Sequence, residues 1–170
     1  PSTTVAAPTT ATTRPPATTA TTIAATGSAP APVYRLFHPG LVSHFYTVDP
    51  VEREVAVTTG YAFESVAFRA HRTAVQGSIP VYRLVHPTAI GHQYTSRVGE
   101  RDDLLAQGYR LERVAFHAFA LAAPGTVPVF RLYSVGSRSH LLTTDVAERD
   151  RALVDADYRS EGVAFWAYPV

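Results

Sequence analysis

Pro32-Val33-Tyr34-Arg35-Leu36, followed by Ser43-His44-Phe45-Tyr46-Thr47, Glu52-Arg53, Tyr61 with Glu64 and Val66-Ala67-Phe68, is a unit that the chain writes three times. The second copy has Pro80-Val81-Tyr82-Arg83-Leu84, Gly91-His92-Gln93-Tyr94-Thr95, Glu100-Arg101, Tyr109 with Glu112 and Val114-Ala115-Phe116. The third has Pro128-Val129-Phe130-Arg131-Leu132, Ser139-His140-Leu141-Leu142-Thr143, Glu148-Arg149, Tyr158 with Glu161 and Val163-Ala164-Phe165. From Pro32 to Pro80 to Pro128 the step is 48 each time, as it is from His44 to His92 to His140. One extra residue enters after Arg149, so Val114 to Val163 is 49. A fixed period of this length is the signature of a repeat architecture.

Within a unit, Val33–Phe37 reads as a strand bounded by Pro32 and by His38-Pro39-Gly40. His44–Val48 reads as a second strand, close enough in sequence to form an antiparallel hairpin with the first. Asp49-Pro50-Val51-Glu52 has the form of a helix start, with Asp at the N-cap and Glu closing a capping box. Asp145-Val146-Ala147-Glu148 repeats it, whereas the second copy has Arg97 at the cap position. A last strand runs from Tyr61 to Ala70. The expected fold is α+β, mainly β: three β-β-α-β repeats, 32–79, 80–127 and 128–170, closed into one pseudo-threefold compact domain. No unit can bury its apolar face alone.

The run of motifs YRLF-HP, HFYT, ER, GY and V-A-F resembles a tandem repeat module of secreted bacterial and fungal proteins. The resemblance covers roughly Pro32 to Tyr168. It implies a module of unsettled function, often attached to cell-wall hydrolases or other exported enzymes, rather than a reaction. Copy three departs from the pattern, with Leu141 and Leu142 for the aromatic pair and Asp157 for Gly.

The opening segment differs from the rest. Of residues 1–31, eleven are Thr, nine Ala and five Pro, and no aromatic precedes Tyr34. Such a stretch lacks the apolar surface to offset its ordering entropy, so a disordered, extended linker is expected, either an inert spacer or a glycosylated stalk. It implies a partner domain before it, and the absence of an initiator Met fits a piece of a longer protein. The chain has no Cys, which removes disulfides and thiolate metal sites. Every basic residue is Arg, and the net charge of +1 gives no argument for nucleic acid. No apolar run approaches the ~20 residues of a membrane span.

No nucleophile, P-loop or zinc-protease signature is present, so no catalytic residue, metal or cofactor is expected. The recurring polar and aromatic residues are the candidates. His44, His92 and His140 can hydrogen-bond a ligand or tie a hairpin loop to the backbone. Tyr46 and Tyr94 lie two residues beyond the first two, on the same strand face, and make a possible platform with them. Tyr34, Tyr82 and Trp166 join the candidates, because an aromatic beside polar groups suits a sugar ring. Core packing is the alternative for each. Arg35, Arg83 and Arg131 sit within apolar strands and need carboxylate partners, for which Glu64, Glu112 and Glu161 recur in step. Glu52, Glu100 and Glu148 recur like three catalytic acids, but the capping box accounts for two of them, Glu52 and Glu148, without chemistry.

The function these features point to is a non-catalytic, secreted or cell-surface binding module for a glycan or cell-wall polymer, monomeric, with weak sites acting together by avidity. Copies one and two would be competent and copy three weak. A protein-interaction or structural domain is the alternative, and a hydrolase of unrecognised type a further one.

Overall fold

The computed structural model describes residues 29–88, 91–155 and 157–170. The expected linker therefore falls largely outside the described residues. Strand β1 begins at Ala31, which pairs with Ala70, so the first repeat takes in the last residue the sequence assigned to the linker.

Each copy runs strand, strand, helix, strand. The first comprises β1 (Ala31–His38), β2 (Ser43–Thr47), α1 (Pro50–Thr58) and β3 (Ala62–Ala70). The second comprises β4 (Ser78–Val85), β5 (His92–Thr95), α2 (Val98–Ala106) and β6 (Arg110–Phe119). The third comprises β7 (Val127–Ser134), β8 (Ser139–Thr143), α3 (Val146–Val154) and β9 (Tyr158–Ala167). In every copy the first strand is central, with the second and third antiparallel on either side.

The mainly-β α+β class holds, but the expected closure into three equal units about a pseudo-threefold axis is corrected. The strands form two sheets, one of three in the order β2-β1-β3 and one of six in the order β5-β4-β6-β9-β7-β8. The cause lies at the ends of the third strands. Phe119 on β6 pairs with Trp166 on β9, which joins copies two and three into one sheet. Among the described residues, copy one shares only the isolated backbone bridges Arg69–Tyr168 and His71–His117 with that sheet.

The core sits between the sheets. Val33, Val81 and Val129 from the central strands and Phe68, Phe116 and Phe165 from the third strands are fully or almost fully buried there. The three Phe rings meet pairwise edge to face at 5.5–5.8 Å, a geometry that adds about 1 kcal/mol per pair to the burial.

The helices lie outside this core, Ala56 of α1 being buried in a smaller cluster with Leu36 and Phe45, and α1 and α3 are capped at their starts. Asp49 Oδ1 accepts from Val51 N at 2.9 Å, and Asp145 Oδ1 from Ala147 N at 2.8 Å. Arg97 offers α2 no side-chain cap, as the sequence suggested. The capping-box role expected of Glu52 and Glu148 is corrected, because each carboxylate, like that of Glu100, reaches an arginine of another copy instead.

Candidate functional site

The recurring polar residues meet, but in the interior. Arg83 lies on β4 between apolar neighbours, and a strand side chain there has nowhere to go but inward. Its Nε is 2.7 Å from Glu112 of its own copy, and its Nη2 donates to Glu52 of α1 at 2.7 Å. Arg131 repeats this with Glu161 at 2.7 Å and Glu100 of α2 at 2.8 Å. Arg35 does so with Glu64 at 2.8 Å and Glu148 of α3 at 2.9 Å. Each strand arginine thus has the in-step carboxylate as one partner and a helix carboxylate from another copy as the second. A buried guanidinium needs both, since a lone charge away from water is costly. Burial pushes Glu52, Glu100 and Glu148 up, but the facing arginines more than offset this and hold all three below the usual carboxylate range.

The tyrosines expected to present a platform are buried. Tyr46 and Tyr94 are 0 % exposed. The Tyr46 hydroxyl accepts from Leu142 N at 2.8 Å and donates to Leu142 C=O at 3.1 Å. The Tyr94 hydroxyl accepts from Tyr46 N at 2.8 Å and donates to Tyr46 C=O at 3.2 Å. Both therefore satisfy the inner edges of β8 and β2, which have no strand neighbour on that side. Copy three has Leu142 at the corresponding place and cannot supply a hydroxyl, so Tyr94 N donates to His140 Nδ1 at 2.9 Å instead. As ligand platforms the pairs His44–Tyr46 and His92–Tyr94 are corrected, because no face of either tyrosine ring reaches solvent.

The histidines follow. His140 is 1 % exposed, with its Nε2 3.2 Å from Glu161. Its Nδ1 accepts a backbone N–H, which puts the proton on Nε2 facing the carboxylate. Burial lowers its pKa despite Glu161. His44 packs against Phe37 at 5.0 Å and His92 against Phe45 at 5.0 Å. Burial is the main cause that lowers both to about 4. All three are neutral at physiological pH and largely buried.

Tyr34 and Tyr82 are half-buried, and each has one ring face taken. Arg53 lies 4.6 Å over Tyr34, Arg101 4.8 Å over Tyr82, and Arg149 4.5 Å over Phe130. The helix arginines are thus lids on the outer aromatics, positions also suited to cation–π attraction. Trp166 is half-buried at the seam between β9, β6 and β7.

A further open feature is built from residues the motifs do not include. His71, Phe119 and Tyr168 follow the three V-A-F strands, 48 and then 49 residues apart. Their rings meet edge to face at 5.6–6.0 Å. They floor a cleft of about 640 Å³. Its walls are the connections through Val75–Gly77 and Ala120–Pro124. Both walls are fixed by the same turn, in which Ser78 Oγ accepts from Val75 N and Thr126 Oγ1 from Ala123 N, each at 2.9 Å. Leu121 stands on the second wall, 79 % exposed. The signal that could have found this cleft is a ring-bearing residue at one repeat position in all three copies, disguised because the residue type changes each time.

Among the described residues no group of three or more His, Cys, Asp or Glu is placed to hold a metal ion. Among them, too, no helix is long and apolar enough to cross a membrane.

Fold and site together define a strand-rich repeat module whose repeated charges and tyrosines hold the copies together, with an aromatic-floored cleft at one end. A family model described as a domain of unknown function, DUF5648, matches residues 16–119 and again residues 91–169, and the chain belongs to that family. No curated protein and no solved structure matches it.

Proposed function

We propose that the chain is a non-catalytic binding module of a secreted protein and that it holds a glycan or cell-wall polymer. The cleft floored by His71, Phe119 and Tyr168 carries this reading. A concave, mostly apolar surface with ring faces and edges at its floor suits the C–H face of a sugar, and Gln76 and the Tyr168 hydroxyl supply polar groups for its hydroxyls. The reading places binding in one cleft rather than on the two His–Tyr platforms, because Tyr46 and Tyr94 are in the core.

The test is co-sedimentation with insoluble chitin, cellulose and peptidoglycan, with and without soluble oligosaccharide. Retention on at least one polymer is expected, with release by the matching soluble sugar. Phe119→Ala and Tyr168→Ala should lower retention while the circular dichroism spectrum stays that of the folded chain. Absence of retention on all polymers, or retention that neither substitution touches, would overturn the reading. A protein partner is the second reading, favoured by the exposed Leu121. Retention on cell walls that soluble sugar cannot displace but protease treatment of the wall abolishes would select it.

A further inference from the structure

The residue that follows the second-strand histidine is Phe45 in copy one, Gln93 in copy two and Leu141 in copy three. In copy one the Phe45 ring fills the junction with copy two. It is 6 % exposed, 5.6 Å from the Tyr61 ring and 5.0 Å from that of His92, with the Arg83 guanidinium 4.6 Å over its face. At the junction of copies two and three the same partners recur as Tyr109, His140 and Arg131. There the residue is Gln93, whose Nε2 donates to Arg138 C=O in the hairpin loop of copy three. Where copy one has a ring, this junction has a cavity of about 200 Å³ lined by Gln93, Tyr109 and His140.

The rest of the lining gives the cavity its chemistry. Tyr133 stands in it beside Tyr109 and meets His140 edge to face at 5.9 Å. The two tyrosine hydroxyls, and the side-chain amide of Gln107 at the end of α2, take part in no hydrogen bond among the described residues. Glu161 faces Arg131 Nε at 2.7 Å and His140 Nε2 at 3.2 Å, both through Oε2, so Oε1 keeps its capacity to accept. Charge is balanced: Glu100 and Glu161 are matched by Arg131 and by Arg97, which lies 3.1 Å from Glu100.

We infer that this cavity is a second binding pocket, for a single neutral sugar ring. It goes beyond the reading of the cleft and uses none of the cleft's residues. The rings of Tyr109 and Tyr133 take the apolar face of the sugar. The free phenol hydroxyls, the Gln107 amide and Glu161 Oε1 supply both donors and acceptors for its hydroxyls. Matched charges around the cavity give an ion no advantage over a neutral ligand. The volume suits one ring, being smaller than the ~300–1,000 Å³ of pockets for larger ligands.

Saturation-transfer NMR with the methyl glycosides of glucose, galactose, mannose and N-acetylglucosamine tests it, with choline and galacturonate as cationic and anionic controls. At least one neutral glycoside should give a transfer signal, and Phe119→Ala should leave that signal in place. Gln93→Phe installs the residue of copy one and should abolish it. Gln107→Ala, at an exposed helix end, should weaken it and keeps the test decisive if Gln93→Phe does not fold. The pocket is overturned by the absence of signal from every neutral glycoside, or by a stronger signal from choline or galacturonate. It is equally overturned by a signal that folded Gln93→Phe or Gln107→Ala leaves intact, or by one that Phe119→Ala removes. Polymer retention is a separate readout, which should survive Gln93→Phe and fall in Phe119→Ala.

Discussion

The Tyr46 hydroxyl satisfies a backbone N–H and a backbone C=O of Leu142 at the same time, in the dry interior. Tyr46→Phe removes one oxygen and leaves both groups unpaired, which should cost about 1–3 kcal/mol in denaturant unfolding. Arg83 sets a larger effect. Arg83→Ala strips Glu52 and Glu112 of a common cation and should cost about 3–5 kcal/mol. Arg101→Ala removes only a helix-surface pair with Asp102 and a stack on Tyr82, and should cost clearly less. Equal losses for the two arginines would refute the structural role of the strand residue. The in-step partner of each strand arginine was legible in the sequence, because an Arg and a Glu that recur with one period must keep one relation. The second partner was not, since a period says nothing about which copies touch. The burial of Tyr46 and Tyr94 was also hidden. All five residues of β2 are buried, so alternation along the strand does not distinguish an inner from an outer face.

At the scale of elements, the strand-strand-helix-strand order could be read directly from Pro, Gly and the Asp caps. The weak point of α2 was visible too. Asp occupies the N-cap of α1 and α3, and Arg97 occupies that of α2. Arg97→Asp transplants the cap and should raise stability by about 0.5–1 kcal/mol, net of the exposed Arg97–Glu100 pair it gives up. A fall in melting temperature would show that this pair matters more than the cap. The departure of copy three at Asp157 also becomes intelligible. In copy one Gly60 has φ +101° and packs so closely on His38 that a Cβ would come within 2.7 Å of its ring. Copy three has Ser134 where copies one and two have His38 and His86, and Asp157 where they have Gly60 and Gly108. There the Asp157 carboxylate accepts from Ser134 Oγ and from Gly136 N. The two positions change together because they are in contact. How the sheets join was not legible, because it depends on Phe119 and Trp166 at strand ends, outside every motif.

For the whole molecule, the interior ties carboxylates and histidines to one pH response. His44 and His92 take up protons near their ordinary pKa of 6.5 when unfolded but only near 4 when folded. Between those values the unfolded chain binds more protons, so stability falls as pH drops through this window. Glu52, Glu100, Glu148 and Glu161 are held below 4.5, and their contribution is lost as pH falls further. The melting temperature should therefore be flat above pH ~7 and decline steadily below it. A maximum near pH ~5 would contradict the neutral, buried state of the histidines.

The separation of a structural interior from a binding cleft comes down to one paired comparison. Tyr46→Phe and Tyr168→Ala are measured side by side for melting temperature and for retention on the polymer that holds the wild type. Tyr46→Phe should melt well below the wild type yet, while folded, bind as the wild type does. Tyr168→Ala should stay close to the wild type in melting and lose most of its retention. Loss of binding by folded Tyr46→Phe, with undiminished retention of Tyr168→Ala, would contradict it and return the ligand to the repeated tyrosines.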